Sequence, residues 1–423
     1  MGDRRIKNYH LRYVRSYLSI LLSAAILVFI CVYAVILFVP QTPANEVRQT
    51  PVPTETPVEV TNRVKIQLAG DIVLNNTLLS SSHDAYGAYD FKDYFSNIKD
   101  FIDGDLTVFN LEGNIDAYGD GSNFAGAPAF NYPQEIAAAA SDAGFNTVIT
   151  ANDQAANFSY AGMKNTLENL TAVGLVPVGT RQEEGTGYLK NYNGIQIGIL
   201  AYTEGLAQLN SDIPEYAVTR IDTDDVETSA ERIRKDIADM KQAGAEIVVL
   251  SMHWGKEMVA EPSQNQRRLA DELIYSGADI IMGTLSHTLQ PITYKSIVTD
   301  TGEEKNVIVA YSLGNFLSHP TVTSGQTSQE SVILNIYIER DAAGTAYISS
   351  AECVPIYIYA KALSSGGTTY SYSVLPAAAY ISAESKPEIF ASDEDWENCK
   401  KAYDNIKKII DKSAENGMAL GIS

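Results

Sequence analysis

The chain has 423 residues and a formal charge of −21, with only 20% charged residues and three cysteines. That length accommodates one large domain or two ordinary ones. The acidic balance excludes a general nucleic-acid-binding surface, and three cysteines are too few for a disulfide framework.

Leu18–Val39 (LSILLSAAILVFICVYAVILFV) carries no charged residue. At about 1.5 Å per residue its 22 positions span about 33 Å, enough for a hydrocarbon core of about 30 Å. Arg4, Arg5, Lys7, Arg12 and Arg15 precede it, against the single acid Asp3. The positive-inside rule therefore makes 1–17 a cytoplasmic basic tail and 18–39 a retained transmembrane anchor, with everything beyond Val39 outside the cell membrane. A cleaved signal peptide fits less well, because the apolar run is long and no small-residue cleavage site follows before Pro40. Residues 40–63, rich in Pro, Thr and Glu, read as an extended linker.

From Val64 the pattern alternates strand and helix, the mark of an α/β fold. VKIQLAG (Val64–Gly70) is a strand that runs into Asp71, and LTVFNL (Leu106–Leu111) another that runs into Glu112. Pro133–Ala143 reads as a helix with Pro in its first turn, followed by the strand Asn146–Ala151 ending at Asn152. Met163, Leu167 and Leu170 stripe a helix stopped at Gly174. Ile195–Tyr202 is a strand and Val226–Ala243 an amphipathic helix. Ile247–Leu250 and Ile280–Met282 are short buried strands. Between them Ser263, with Gln266 three residues on, opens a helix that closes at Gly277. Val307–Leu313 is a strand ending at Gly314-Asn315. Val332–Glu339 and Thr345–Ile358 alternate as antiparallel strands. A helix capped by Ser392 runs from about Asp393 to Lys412, buries Ile406, Ile409 and Ile410, and belongs to a C-terminal helical extension at 386–423. Cys353 and Cys399 are expected as two unlinked buried thiols, although spacing leaves a pairing open.

Polar residues recur at strand ends: Asp71, Glu112, Asn152, His253, His287 and Asn315. In open α/β sheets ligands gather outside the carboxyl ends of strands. A lone Asp or Asn there is often a cap, and a lone His often bonds backbone. The set together is what an oxygen/nitrogen metal site requires, and carboxylates with neutral imidazoles suit Mn, Zn or Fe.

The motifs LAGDIVLNN (Leu68–Asn76), FNLEGNI (Phe109–Ile115), HWGKE (His253–Glu257), LADELIYSGADIIMG (Leu269–Gly283), SHTLQP (Ser286–Pro291) and YSLGNFL (Tyr311–Leu317) occur in this order. In them the chain resembles the CapA family of poly-γ-glutamate capsule synthesis proteins. The resemblance implies a metallophosphatase-like α/β/β/α sandwich of two mixed sheets flanked by helices, an ectodomain at 64–385 following the transmembrane helix. It implies metal ligands at Asp71, Glu112, Asn152, His253 and His287, with Asn152, His253 and His287 at catalytic positions. Asn110, Asp153, Gln154, Glu257 and Asn315 then line the pocket. Two places depart from the family's pattern. Gln154 stands where a third motif residue is histidine, and Thr284-Leu285-Ser286 replaces two histidines before His287. Glutamine shuttles no proton near neutral pH, and Thr and Leu are poor ligands, so the implied centre is partly degenerate, with Asp153 as a substitute carboxylate. Two readings follow. One is an accessory protein in synthesis, export or anchoring of an anionic capsule polymer such as poly-γ-glutamate, whose partners are the membrane and that polymer or its synthase complex. The other is a metal-dependent hydrolase of a phosphoester or of the polymer amide. Both require the remote strand ends of Asp71, Glu112, His253 and His287 to meet in one pocket.

Overall fold

In the computed structural model the strand ends predicted from sequence are brought together by two stacked sheets. The structure describes residues 62–423 apart from 85, 186, 209–211, 300–301, 303, 324, 364–368 and 416. The predicted basic tail, anchor and nearly all of the linker lie outside the described residues. Among the described residues no helix is long and apolar enough to cross a membrane.

The first half of the chain supplies strands β1 (Val64–Val73), β2 (Leu106–Leu111), β3 (Thr147–Ile149), β4 (Val176–Val178), β5 (Tyr188–Tyr192) and β6 (Ile195–Thr203). Next come β7 (Ile247–His253), β8 (Ile280–Thr284), β9 (Ile292–Val298), β10 (Glu304–Ala310) and β11 (Asn315–Ser318). Strands β12 (Glu330–Arg340), β13 (Ala346–Ala362), β14 (Tyr370–Pro376) and β15 (Gly421–Ile422) complete the two large sheets. The longer helices are α1 (Gln134–Asp142), α2 (Tyr160–Ala172), α3 (Val226–Gln242), α4 (Gln264–Tyr275) and α5 (Asp393–Glu415).

The first sheet has the order β14-β13-β12-β1-β2-β3-β4, and β1 through β4 are parallel. The second has the order β9-β10-β8-β7-β6-β5, parallel from β10 to β6 with antiparallel edges. Each strand alternates faces with period two. Ile66, Leu68, Val108, Ile197, Ile199, Val249, Ile280, Met282, Ile308 and Leu334 fill the space between the sheets. The outer face of the second sheet (Val248, Leu250, Met252, Ile281) meets Ala230, Ile233 and Ile237 of α3 and Leu269, Leu273 and Ile274 of α4. The outer face of the first (Phe109, Leu111, Val148) meets Ile136, Ala140 and Leu170 of α1 and α2. The architecture is therefore the expected α/β/β/α sandwich of two mixed sheets.

The predicted cap on α4 is present in full: the Ser263 hydroxyl accepts from the Gln266 N–H at 3.1 Å, and the Gln266 side chain accepts from the Ser263 N–H at 2.9 Å. The Ser392 hydroxyl accepts from the Asp395 N–H at the start of α5, whose Ile406 and Ile410 join the inter-sheet core. Cys353 and Cys399 are free and buried. Two expectations need correction. Pro133 caps α1 from outside rather than sitting in its first turn, because its ψ of 151° is extended. The segment Val307–Leu313 is not one strand running to Asn315. Strand β10 ends at Ala310 in the second sheet, and the chain then crosses to the first, where β11 lies parallel to the second half of β1. An apolar run looks continuous in sequence even where its backbone changes sheets.

That crossing brings backbone against backbone. Gly70 sits so close to the 313–314 turn that a Cβ there would lie 1.9 Å from the Gly314 carbonyl oxygen, and Gly314 itself has φ +72°. The Asp71 N–H donates to that same carbonyl at 2.9 Å, in register with Asn315. Gly283, at the end of β8, meets the Tyr311 carbonyl in the same way, also at 1.9 Å. Gly70→Ala is expected to lower stability by about 1–3 kcal/mol, the usual cost of forcing extra volume into a packed place. An unchanged urea midpoint would show that the contact relaxes freely.

Candidate metal centre

Asp71 stands near the carboxyl end of β1 and Glu112 just past that of the adjacent parallel β2, and His253 ends β7 of the second sheet. All three are buried. One ligand atom from each lies within 4.8 Å of the others, so three residues distant in sequence converge where the sheets' strand ends meet. His287 flanks the group from the loop after β8. Its Nδ1 is 3.7 Å from Asp71 Oδ2 and its Nε2 is 3.8 Å from Glu112 Oε1.

Each member is held by neighbours. Asp71 accepts from Asn110 Nδ2 at 2.7 Å and from the Leu285 N–H at 3.3 Å. His253 pairs through Nδ1 with the Thr284 hydroxyl at 2.9 Å and through Nε2 with Asp153 Oδ1 at 3.2 Å. His287 Nδ1 pairs with Asn315 Oδ1 at 3.0 Å, and Asn315 donates in turn to the Ser318 hydroxyl. The loop that carries His287 is strained: Leu285 has φ +90° and His287 φ +56°, a region costly for side chains with a Cβ. The bent loop places the Leu285 N–H on Asp71 and the His287 ring between two carboxylates.

Glu112 differs from the rest. Its Oε2 is buried and has no hydrogen-bond partner among the described residues. Burial raises its pKa to about 7, against the pull of His287 and His253. Burial opposes charge on both imidazoles as well, yet the carboxylates prevail. Asp153, Glu112 and Asp71 raise His253, and Glu112 with Asp71 raises His287 to about 10. An orphaned buried carboxylate oxygen beside a second carboxylate and an imidazole fits a divalent cation, which takes ligands of this kind.

The other predicted residues take distinct places. Asn152 donates to the Leu111 carbonyl at 2.7 Å and to Asn110 Oδ1 at 3.3 Å, and its Oδ1 accepts from the Gln154 N–H. It thereby ties the ends of β2 and β3 together. Gln154 donates to Asp153 Oδ2 at 2.6 Å and accepts from Asn157 at 2.7 Å, so its amide is engaged in fixing that loop. Glu257 is exposed and, with Glu112, Gln154, His287 and Asn315, borders a cavity of about 220 Å³ that opens on the group. Sequence reasoning missed two roles. Thr284 occupies a position where a ligand was expected, yet its hydroxyl orients His253. Tyr132 donates to the Glu112 carbonyl at 2.8 Å while its own oxygen accepts from the Leu74 N–H. A tyrosine distant in sequence gives no signal of that kind before the chain is folded.

The family described as bacterial capsule synthesis protein PGA_cap matches residues 65–320. The chain belongs to that family. The matched span contains Asp71, Glu112, His253 and His287. Among curated relatives, the Capsule biosynthesis protein CapA of Bacillus anthracis is 28% identical over 231 residues, which cover 53% of this chain and 51% of that protein. The PGA biosynthesis protein CapA of Bacillus subtilis (strain 168) is 27% identical over 208 residues, covering 48% and 50%. This PGA_cap chain thus spans about half the length of the curated relatives it matches. Among solved structures, the Haemophilus influenzae NAD nucleotidase NadN is similar at a TM-score of 0.35 and 14% identity, over 85% of this chain and 57% of that one. A likeness that remote carries nothing about chemistry.

The raised groups set a pH dependence for the metal-free protein. Glu112 titrates in the folded state near 7 instead of its ordinary 4.5, and His287 near 10 instead of 6.5. In both windows the folded state holds more protons than the unfolded one, so stability falls as pH rises from about 4.5 to about 10. His287→Gln is expected to flatten the upper part of that decline alone, read from denaturation midpoints across pH. Glu112→Gln flattens the lower part and also shortens the upper one, because the Glu112 charge helps to raise His287. Equal slopes in both variants and the parent would contradict it.

Proposed function

We propose that this chain is a membrane-anchored, surface-exposed protein of capsule polymer assembly. In this reading the 18–39 span holds it in the cell membrane, and the folded domain outside carries a single divalent-ion site of Asp71, Glu112 and His253 with His287 beside it. The observation that carries it is the orphaned Glu112 Oε2 within a convergent carboxylate–imidazole group. The family membership and the names of its two Bacillus relatives support an anionic polymer such as poly-γ-glutamate as what the domain handles, together with the complex that makes it.

A bound Mn, Zn or Fe ion supplies Lewis-acid charge at this place. The chain's own residues do the rest. Asn110 and the Leu285 N–H aim Asp71, Thr284 turns the His253 ring, and Asn315 turns that of His287. Ligands oriented in this way would hold an ion able to take an anionic oxygen of a polymer without a bond being broken. The accessory role is favoured by Gln154, whose amide is tied to Asp153 and Asn157 and moves no proton.

A second reading, a hydrolase of a phosphoester or of the polymer amide, is supported by the cavity of about 220 Å³ that reaches Glu112 and His287. It would provide room for a reacting group next to Glu112 and His287.

Purified protein should take up at most about one equivalent of transition metal. Asp71→Ala should lower uptake while the domain still unfolds cooperatively, at reduced stability because Asn110 and the Leu285 N–H lose their buried acceptor. Loss of fold in Asp71→Ala would assign that carboxylate a structural role only. Thr284→Val should weaken metal affinity by about 10- to 100-fold, the usual effect of losing the partner that orients a ligating histidine. Hydrolysis of a phosphodiester or of poly-γ-glutamate that disappears in His253→Ala would replace the accessory reading by the hydrolytic one.

A further inference from the structure

A cavity of about 410 Å³ lies between the edge of the first sheet and the neighbouring strands of the second. Its lining includes Arg181, Arg232, Tyr202, Thr219, Asp236 and Glu183. Arg181 comes three residues after β4 and is partly buried. Its Nε donates to the Tyr216 carbonyl, one terminal nitrogen to the Gly185 carbonyl at 2.6 Å and the other to the Thr219 hydroxyl. All three acceptors are neutral, and a guanidinium has five N–H donors. Elsewhere on α3 the cations find acids, Arg234 with Glu272 at 3.1 Å and Lys235 with Asp239 at 2.5 Å. Among the described residues neither Arg181 nor Arg232 has a carboxylate within 4.0 Å. Burial pushes the Arg181 pKa down, and the more distant Asp236 opposes that. Asp236 itself is engaged by the Tyr202 hydroxyl at 3.0 Å.

The cavity's place is as telling as its lining. Strand β4 neighbours β3, which leads to Asn152, and β6 neighbours β7, which ends at His253. The Thr180 N–H and hydroxyl both reach the Thr150 hydroxyl, at 2.9 and 2.8 Å, and fasten the two loops side by side. Arg181 therefore follows the carboxyl end of β4, two strands from the β2 that leads to Glu112, and Arg232 of α3 lines the same cavity. A chain of net charge −21 repels anions unless cations are gathered locally. Each Arg181 nitrogen already donates once, which leaves two of its five N–H groups, and these with the Arg232 guanidinium are the donors that a carboxylate or phosphate oxygen takes.

We infer that the Arg181–Arg232 cavity is a subsite for an anionic oxygen group, carboxylate or phosphate, of the ligand that meets the metal group. The inference rests on the proposed function only in treating both places as parts of one ligand's path. The subsite itself works without metal. Guanidinium recognition also predicts that added salt weakens the contact.

The test uses the full chain in detergent micelles with metal removed by chelation, so that failure of the metal reading cannot register. A poly-γ-glutamate oligomer and, separately, inorganic phosphate are titrated by calorimetry at low salt. One of the two is expected to bind, the oligomer assigning a carboxylate subsite and phosphate a phosphoryl one. Arg232→Gln should weaken that binding about tenfold or more, and Asp236→Asn should strengthen it by removing the opposing charge. Because Arg181 joins three segments and Arg181→Gln can disturb the loop, the decisive variants are Arg232→Gln, at an exposed position, and Asp236→Asn. Binding of neither anion, or affinity unchanged in both of those variants, would overturn the inference.

Discussion

Two carboxylates withdrawn from water at the meeting of two sheets govern this structure. Asp71 and Glu112 are buried, and a buried charge is tolerated only when partners replace its hydration. Asp71 is fully furnished with an amide, a backbone N–H and a nearby imidazole. Glu112 is not, and its free oxygen is compensated only by His253 and His287 from the opposite sheet. Charge balance thus runs across the sandwich: acids from the first sheet, imidazoles from the second. The stacking of the sheets is therefore what brings the imidazoles within reach of the acids.

The backbone contacts explain how such closeness is reached. Glycine at positions 70 and 283 lets the segment 311–314 pass within van der Waals distance of both β1 and β8. That segment is where the chain leaves the second sheet for the first. It seats Asn315 beside Asp71 and, through the adjoining strained loop, His287 between the carboxylates. Tyr132, packed under Gly113 and bonded to the Glu112 carbonyl, fixes the other acid from the helical side. Site geometry is therefore a consequence of crossing and packing more than of the loops' own preferences.

The departures from the family's histidine pattern acquire physical meaning in the fold. Thr284 keeps the place of a ligand but turns its hydroxyl to His253, and Gln154 gives its amide to Asp153 and Asn157. Asp153 in turn faces His253. What is lost in ligand number is partly converted into orientation of the ligands that remain. In the function proposed above, an ion site of few but well-aimed ligands suits a protein that grips an acidic chain as well as one that cuts it.

Periodicity and composition determined much by themselves. Runs such as Ile195–Tyr202 and Leu106–Leu111, the Ser263–Gln266 cap and the stripe of Val226–Ala243 are local signals, set by side-chain alternation and by hydrogen bonds a few residues long. They made the α/β class, the placement of Glu112 and His253 at strand ends, and the capped α4 readable before folding. Asp71, by contrast, lies inside β1, which runs on to Val73, and His287 stands in the loop three residues beyond β8. Tertiary structure alone decided the rest. That β10 stops at Ala310 and hands the chain to another sheet, that Thr284 serves His253, that Tyr132 supports Glu112, and that Arg181 is left facing neutral oxygens depend on contacts between segments scores of residues apart. Such contacts leave no trace in neighbouring residues, because the energy that selects them is burial and charge pairing in the assembled core, not any preference of the local chain.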